Sequence, residues 1–85
     1  MPDSDFSHKV LRLLNRKQQG EKNRLDLMVI KWGSAKIPVL ENRRSFFDEK
    51  TNEWRFRKLA GLGVEELNII RDNMNEIEQL LKPDN

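Results

Sequence analysis

The sequence predicts a single α+β domain over residues 1–85. An N-terminal helix over 5–17 and a long C-terminal helix over 64–81 flank an antiparallel sheet of three or four strands over 24–60. Two observations predict this class. Apolar residues recur with helical spacing near both ends of the chain, whereas the middle holds short aliphatic and aromatic runs separated by turn signals. A length of 85 residues suits one domain.

The N-terminal helix is predicted from an apolar stripe. Phe6, Val10 and Leu13 follow one another at intervals of four and three residues, and a serine or aspartate just before them can cap the first turn. The polar segment 18–23 contains Gly20, which indicates the end of the helix and a linker.

The middle of the chain predicts strands over 25–32, 37–47 and 53–59, separated by turn signals at 33–35 and 48–52. Pro38 lies near the start of the second strand, where an edge position tolerates the missing backbone donor. Gly61 and Gly63 break the last strand and join it to the following helix.

The C-terminal helix is predicted to end before Pro83. Its apolar residues are spaced three, four, three and four, which is a short heptad seam. This stripe has two interpretations: it covers one face of the sheet, or it forms a homodimer interface. We expect a homodimer, because a chain this short buries little surface alone. The expected interface residues are Leu67, Ile70, Met74, Ile77 and Leu81.

Charge is divided unevenly along the chain. The segment 9–58 carries 14 basic and six acidic residues, and the segment 59–85 carries two basic and six acidic residues. The basic segment also contains both tryptophans and three of the four phenylalanines. Cations that follow phosphates and rings that stack on unpaired bases are the requirements of single-stranded nucleic-acid binding.

The run 54–58 combines rings with cations. On a regular strand Trp54, Phe56 and Lys58 share one face, while Arg55 and Arg57 share the other. We expect these two arginines on the outer face, in contact with phosphates. The alternative is that the rings pack beneath the helix and the arginines are merely solvated.

The run 43–47 lies across the predicted hairpin. Arg43 and Arg44 precede Phe46 and Phe47, which as neighbours on a strand must point to opposite faces. The exposed ring is therefore either a stacking platform or a dimer contact. Trp32, at the end of the first predicted strand, raises the same question.

Catalysis, metal binding and membrane insertion have little support in the sequence. The chain has no cysteine and one histidine, and no serine has a nearby histidine to activate it. We find no metal-ligand spacing, no phosphate loop and no apolar run long enough for a membrane span. We therefore expect a non-enzymatic intracellular protein of the cytoplasm, nucleoid or nucleus, without cofactor, small-molecule substrate or membrane partner.

From about residue 39 to residue 81 the chain resembles the Positive Cofactor Four family of single-stranded-DNA-binding transcription coactivators. Arg44-Ser45-Phe46-Phe47 is similar to that family's Arg-Glu-Tyr-Trp strand, and the acidic turn 48–50, the basic pair Arg57-Lys58 and the following helix continue the similarity. The resemblance implies a curved antiparallel sheet followed by one long helix, with two copies paired through those helices. The N-terminal helix has no counterpart in the family, and the segment 58–62 departs from the family's Lys-Gly-Ile-Ser-Leu.

The resemblance implies nucleic-acid contacts by Arg44, Phe47, Arg57 and Lys58, with Trp32 and Lys36 as weaker matches. Together with the charge pattern it predicts a non-catalytic protein that binds single-stranded DNA or RNA, as a transcription or replication accessory factor. A protein-interaction module acting through its amphipathic helices is the alternative, and a duplex-DNA regulator ranks below both because no helix-turn-helix is present. The full set of expected binding residues is Trp32, Lys36, Arg43, Arg44, Phe47, Arg55, Arg57 and Lys58.

Overall fold

A computed structural model describes residues 8–82 of the chain. It consists of four strands followed by two helices, which are β1 His8–Gln18, β2 Asn23–Trp32, β3 Val39–Asp48, β4 Glu53–Leu59, α1 Val64–Asp72 and α2 Met74–Leu81. The strands form one antiparallel sheet in the order β1-β2-β3-β4, so each strand pairs with its neighbour in sequence.

The predicted N-terminal helix is wrong. Residues 8–17 of it belong to β1, and residues 5–7 lie outside the described residues. Register shifts against β2 between Val10 and Arg12 and between Leu13 and Asn15 show two β-bulges. Each bulge adds one residue to the usual alternation. Val10, Leu13 and Arg16 therefore recur every three residues on one side of the strand, a spacing that imitates an amphipathic helix.

The glycine that suggested a helix stop lies in the turn between β1 and β2. Gly20 has φ +84°, in the left-handed region that glycine adopts without steric cost. The Gln18 side chain donates to the Gly20 carbonyl at 2.7 Å, and the Gln19 amide donates to the Asn23 carbonyl at 2.8 Å. The segment 19–22 is thus a hairpin turn instead of a linker.

The predicted long C-terminal helix is also wrong, because Asn73 divides it into α1 and α2. The Asn73 side-chain amide donates to the Ile69 carbonyl at 2.8 Å, and the Asn73 backbone has φ −117° and ψ 20°. Asparagine competes in this way with the helical hydrogen bonds of its own backbone. The heptad seam is therefore not carried by one continuous helix.

The two sides of the sheet differ in what covers them. One side, the helix face, carries Leu25, Leu27 and Val29 of β2; α2 packs against this strand, and Ile77 is 2% exposed. The Asn42 side chain of β3 donates to the Gly61 carbonyl at 2.9 Å, so the segment that precedes α1 is hydrogen-bonded to the same face.

The opposite side, the groove face, carries the even-numbered residues of β2. Met28 and Ile30 are buried there, although α1 and α2 lie on the other side. Residues of the outer strands β1 and β4 line one shared groove on this face, so the sheet is curled around it. The curl and the long side chains above the groove floor shield these apolar residues from water.

Candidate nucleic-acid interface

The groove on the groove face receives side chains from all four strands. It has a volume of about 170 Å³ and contains arginine from three strands. Its lining residues are His8, Val10, Arg16, Arg24, Asp26, Met28, Arg43, Ser45, Trp54 and Phe56. Guanidinium groups and aromatic rings therefore lie side by side on the face that the helices leave open.

Asp26 orders two of the groove arginines. Its side chain is 2% exposed; Oδ1 and Oδ2 accept hydrogen bonds from Arg16 at 2.8 and 3.2 Å, and the Arg24 Nε lies 3.3 Å from Oδ2. The hydrogen bond with Asp26 raises the pKa of Arg16. One buried carboxylate thus holds two cations at fixed positions and neutralises one of them.

The rings and the arginines are stacked on one another. The Arg24 guanidinium lies 4.2 Å from the centre of the Trp54 ring, and the Arg43 guanidinium lies 4.3 Å from that of Phe56. Burial lowers the pKa of Arg24. Phe56 is 48% exposed, so part of its surface is open to a ligand. Guanidinium planes and rings of this kind both offer stacking surfaces to an unpaired base.

Trp32 lies on the groove face opposite His8, one of the residues that line the groove. Its indole nitrogen donates to Glu41 at 3.2 Å, and its ring lies 5.2 Å from the His8 ring. The Arg43 Nη1 is 3.0 Å from the His8 Nε2. Since a guanidinium can only donate, this His8 nitrogen accepts. Burial and then the charge of Arg43 lower the pKa of His8, against an opposing effect of Glu41.

The structure divides the predicted binding residues between the two faces. Trp32, Arg43 and Phe47 lie on the groove face, where the Phe47 ring meets Trp54 edge-on at 5.5 Å. The residues on the helix face are Arg44, Arg55 and Lys58, as their register with β3 and β2 shows. Lys36 is exposed in the connection between β2 and β3.

The sequence-based assignment of faces in β4 is wrong at Lys58. A register shift opposite Arg44 and Ser45 shows a bulge, so Lys58 opposes Arg44 and Phe56 opposes Ser45. Arg57 is the extra residue. Trp54 and Phe56 therefore share the groove face with Leu59, and Lys58 lies on the helix face with Arg55.

Of the ten residues that line the groove, only Arg43 was in the predicted binding set; the arginines, tryptophan and phenylalanine that it missed are Arg16, Arg24, Trp54 and Phe56. The alternation of Trp54 and Phe56 with arginines is visible in the sequence. It did not show that these rings face away from the helices. Arg16 was hidden by the helix prediction, and Arg24 precedes the aliphatic run of β2 without any pattern that marks it.

Three cations near β4 lack a carboxylate partner among residues 8–82, namely Arg44, Arg57 and Lys58. Arg44 instead donates to the side-chain oxygen of Gln19 at 3.1 Å. Arg55, by contrast, is paired with Asp48 at 2.9 Å. Of these three, Arg44 and Lys58 lie on the helix face, and Arg57 lies at the bulge of the edge strand.

The predicted dimer residues also separate. Ile77 is buried in the domain, Ile70 and Leu81 are half-buried, and only Leu67 and Met74 are exposed, at 54% and 43%. Other exposed apolar residues lie just before α1 and at its start, and they are Leu62 and Val64. A surface of apolar side chains remains, but its residues differ from the predicted seam.

No protein-family model, curated protein or solved structure matches this chain. Within residues 8–82 there is no group of three or more histidine, aspartate and glutamate side chains placed to hold a metal ion. The helices of that part of the chain are too short or too polar to cross a membrane.

Proposed function

We propose that this protein binds single-stranded nucleic acid along the groove face and catalyses no reaction. One observation carries the proposal: arginines and aromatic rings from all four strands line a single groove on the side of the sheet opposite the helices. Guanidinium groups bind phosphates, and exposed rings stack on unpaired bases. A base pair in a duplex hides its faces within the stack, so rings in a groove favour the single strand.

The binding residues of this proposal are those that line the groove, with the partly exposed Phe56 and the half-buried Trp54 as stacking surfaces. Because Asp26 and Glu41 partly neutralise the groove arginines, stacking supplies a larger share of the affinity there than net charge does. We expect little sequence preference, since every base has a face that can stack.

Membership of the Positive Cofactor Four family and a role as a transcription or replication accessory factor are part of this proposal. The residues of β3 and β4 that suggested the resemblance support it, and the two short helices depart from it. The proposal also implies an intracellular location, where single-stranded nucleic acid occurs.

A homodimer is a second part of the proposal. Val64 is 75% exposed, and Leu62, Leu67 and Met74 are also exposed on the helical part of the chain. A second copy that covered these side chains would remove apolar surface from water. A protein-interaction module would use the same surface for a different partner, and the oligomeric state in solution distinguishes the two.

The groove itself supplies the reporter for the test of nucleic-acid binding. Trp32 and Trp54 are the only tryptophans, and both lie on the groove face. An oligonucleotide bound there should quench tryptophan fluorescence, and a blunt duplex of the same sequence should not. A plot of log affinity against log salt concentration, whose slope we call the salt slope, should fall by about 0.7 for each phosphate that the protein contacts. Equal quenching by the duplex, or none by either, would contradict the proposal.

A further inference from the structure

Arg44, Arg57 and Lys58 form a basic cluster where β3 pairs with β4, with Arg44 and Lys58 on the helix face and Arg57 at the bulge. Lys58 opposes Arg44 across the β3–β4 pairing, and neither of these residues nor Arg57 has a carboxylate partner among residues 8–82. Each other arginine of the sheet has a carboxylate within ion-pair distance. Like charges held side by side repel one another. An anion bound between them would relieve that repulsion.

A cavity lies at this cluster. Its volume is about 240 Å³, and its lining side chains are Gln19, Asn23, Arg24, Arg44, Ser45 and Arg57. None of these six is acidic, and all of them can donate hydrogen bonds. The volume is about eight times the share of one water in the liquid, which leaves room for a phosphate group with some of its hydration.

The Arg44 guanidinium is oriented before any ligand arrives. The Gln19 side-chain oxygen accepts a hydrogen bond from its Nη1 at 3.1 Å, which limits the side chain to conformations that reach Gln19. A guanidinium has five N–H donors in a planar fork that matches two phosphate oxygens. Arg44 therefore retains donors for an anion, and Arg57 lines the same cavity.

A second cavity adjoins the first. It measures about 400 Å³ and is lined by Lys22, Asn23, Phe46, Phe47 and Arg57, so Asn23 and Arg57 are common to both. Of the two rings in this lining, Phe46 lies on the helix face, two residues from Arg44 in β3, and Phe47 lies on the groove face. An aromatic wall beside a cationic cavity suits a nucleotide, whose sugar or base contacts the ring while its phosphate contacts the arginines.

The first cavity shares Arg24 and Ser45 with the groove, while its Arg44 lies on the helix face, and β4 is the edge strand of the sheet beside both. Every residue of β4 except Trp54 is exposed. A nucleic-acid strand can therefore pass from Phe56 on the groove face along this edge to Arg57 at the bulge. The bulge at Arg57 is what places an extra cation at this edge.

We infer that Arg44 and Arg57 form a phosphodiester-binding site beside the groove, reached by a single strand that leaves the groove along the β4 edge. This inference rests on the proposed function, because the strand is the one bound in the groove. The alternative is that the charges only protect an edge strand from pairing with other chains.

The test compares the wild type with the double variant Arg44→Gln/Arg57→Gln, which removes both charges but retains polar side chains of similar length. The matched control is Arg71→Gln/Lys82→Gln, which removes two exposed charges from the helical region. Fluorescence titrations use oligothymidylates of about 4 and about 16 nucleotides, the range of site sizes of small single-strand-binding domains. Thermal unfolding of each variant checks that the fold is retained.

The double variant should bind the long oligonucleotide about tenfold more weakly, which corresponds to two lost hydrogen-bonded contacts of ordinary strength. Its salt slope should fall by about 1.4 for two phosphates. The short oligonucleotide and the control should change less than about twofold by the same reasoning. The loss should not depend on a 5′-phosphate, since the site takes an internal phosphodiester.

Three results would overturn the inference while leaving the proposed function in place. They are an equal loss for both lengths, no loss for either length, and a loss only when the oligonucleotide carries a 5′-phosphate. If the wild type binds neither oligonucleotide at low salt, the proposed function fails and the inference fails with it.

Discussion

The open part of the Phe56 ring makes it the most informative single residue of the groove. Phe56→Ala removes a ring that is 48% exposed and that lies 4.3 Å from the Arg43 guanidinium. A fully buried Phe→Ala change costs about 3–5 kcal/mol of stability, so a half-exposed ring should cost about 2 kcal/mol. For a domain of this size that lowers Tm by roughly 8–16 °C.

The same change should weaken nucleic-acid binding by more than the loss of stability explains. A base stacked on an aromatic side chain contributes about 1–3 kcal/mol, which corresponds to roughly a five- to 150-fold change in Kd. Fluorescence titration with a short oligothymidylate, well below the Tm of the variant, measures this loss without interference from unfolding.

Phe46→Ala is the matched control, because it removes the same ring from the helix face. It should lower Tm by a similar amount and leave the Kd of the short oligonucleotide unchanged. Trp32 and Phe47 were the rings expected to stack from sequence. Both are half-buried on the groove face beside residues that line the groove, so their removal should reduce stability and affinity together. If Phe56→Ala and Trp54→Ala both retain wild-type affinity, the groove is not a stacking surface and the reasoning is refuted.

Three further predictions follow from individual contacts. Asp26→Asn removes the charge that holds Arg16 and Arg24, and it should lower the free energy of unfolding, measured by chemical denaturation, by about 2–3 kcal/mol. The loss is smaller than for a fully buried pair because Arg16 is partly exposed. The variant should also bind nucleic acid with a steeper salt dependence, and an unchanged dependence would mean that these arginines do not meet phosphates. Leu67→Glu should leave the monomer folded but abolish self-association in sedimentation, and a wild type that is already monomeric at high concentration would remove the dimer proposal. A Cβ added at Gly20 would meet no atom within 4 Å. Gly20→Ala should therefore lower stability by about 1–2 kcal/mol through the left-handed backbone conformation alone. An unchanged Tm would contradict this prediction.

Some features were predictable from sequence because they depend on neighbours in the chain. The turn before β4 is one of them: the Asp48 carboxylate accepts from the Lys50 amide at 3.0 Å, and Asn52 adopts φ 59°, as aspartate and asparagine commonly do in turns. The positions of β2, β3 and β4 follow from the aliphatic and aromatic runs between such turns. The combination of cations with rings in this part of the chain also follows from composition.

The errors arose where strand pairing decides the outcome. Two bulges give β1 a three-residue spacing, so residues 8–17 fit a helical pattern when they are considered without their partner strand β2. One bulge in β4 reversed the face of Lys58 and separated it from Phe56. A bulge is defined by the strand opposite, and a single sequence does not encode it locally.

The amino-acid sequence by itself determined that this chain has a basic, ring-containing sheet region with turns at fixed places, because turn chemistry and composition are local properties. Only the tertiary structure decided which cations and rings meet. Arg16 and Arg43 lie 27 residues apart in the chain but line one groove, whereas Arg43 and Arg44 are adjacent and lie on opposite faces. The physical reason is that alternation along a strand separates sequence neighbours, while hydrogen bonding between strands and the curl of the sheet bring distant residues together.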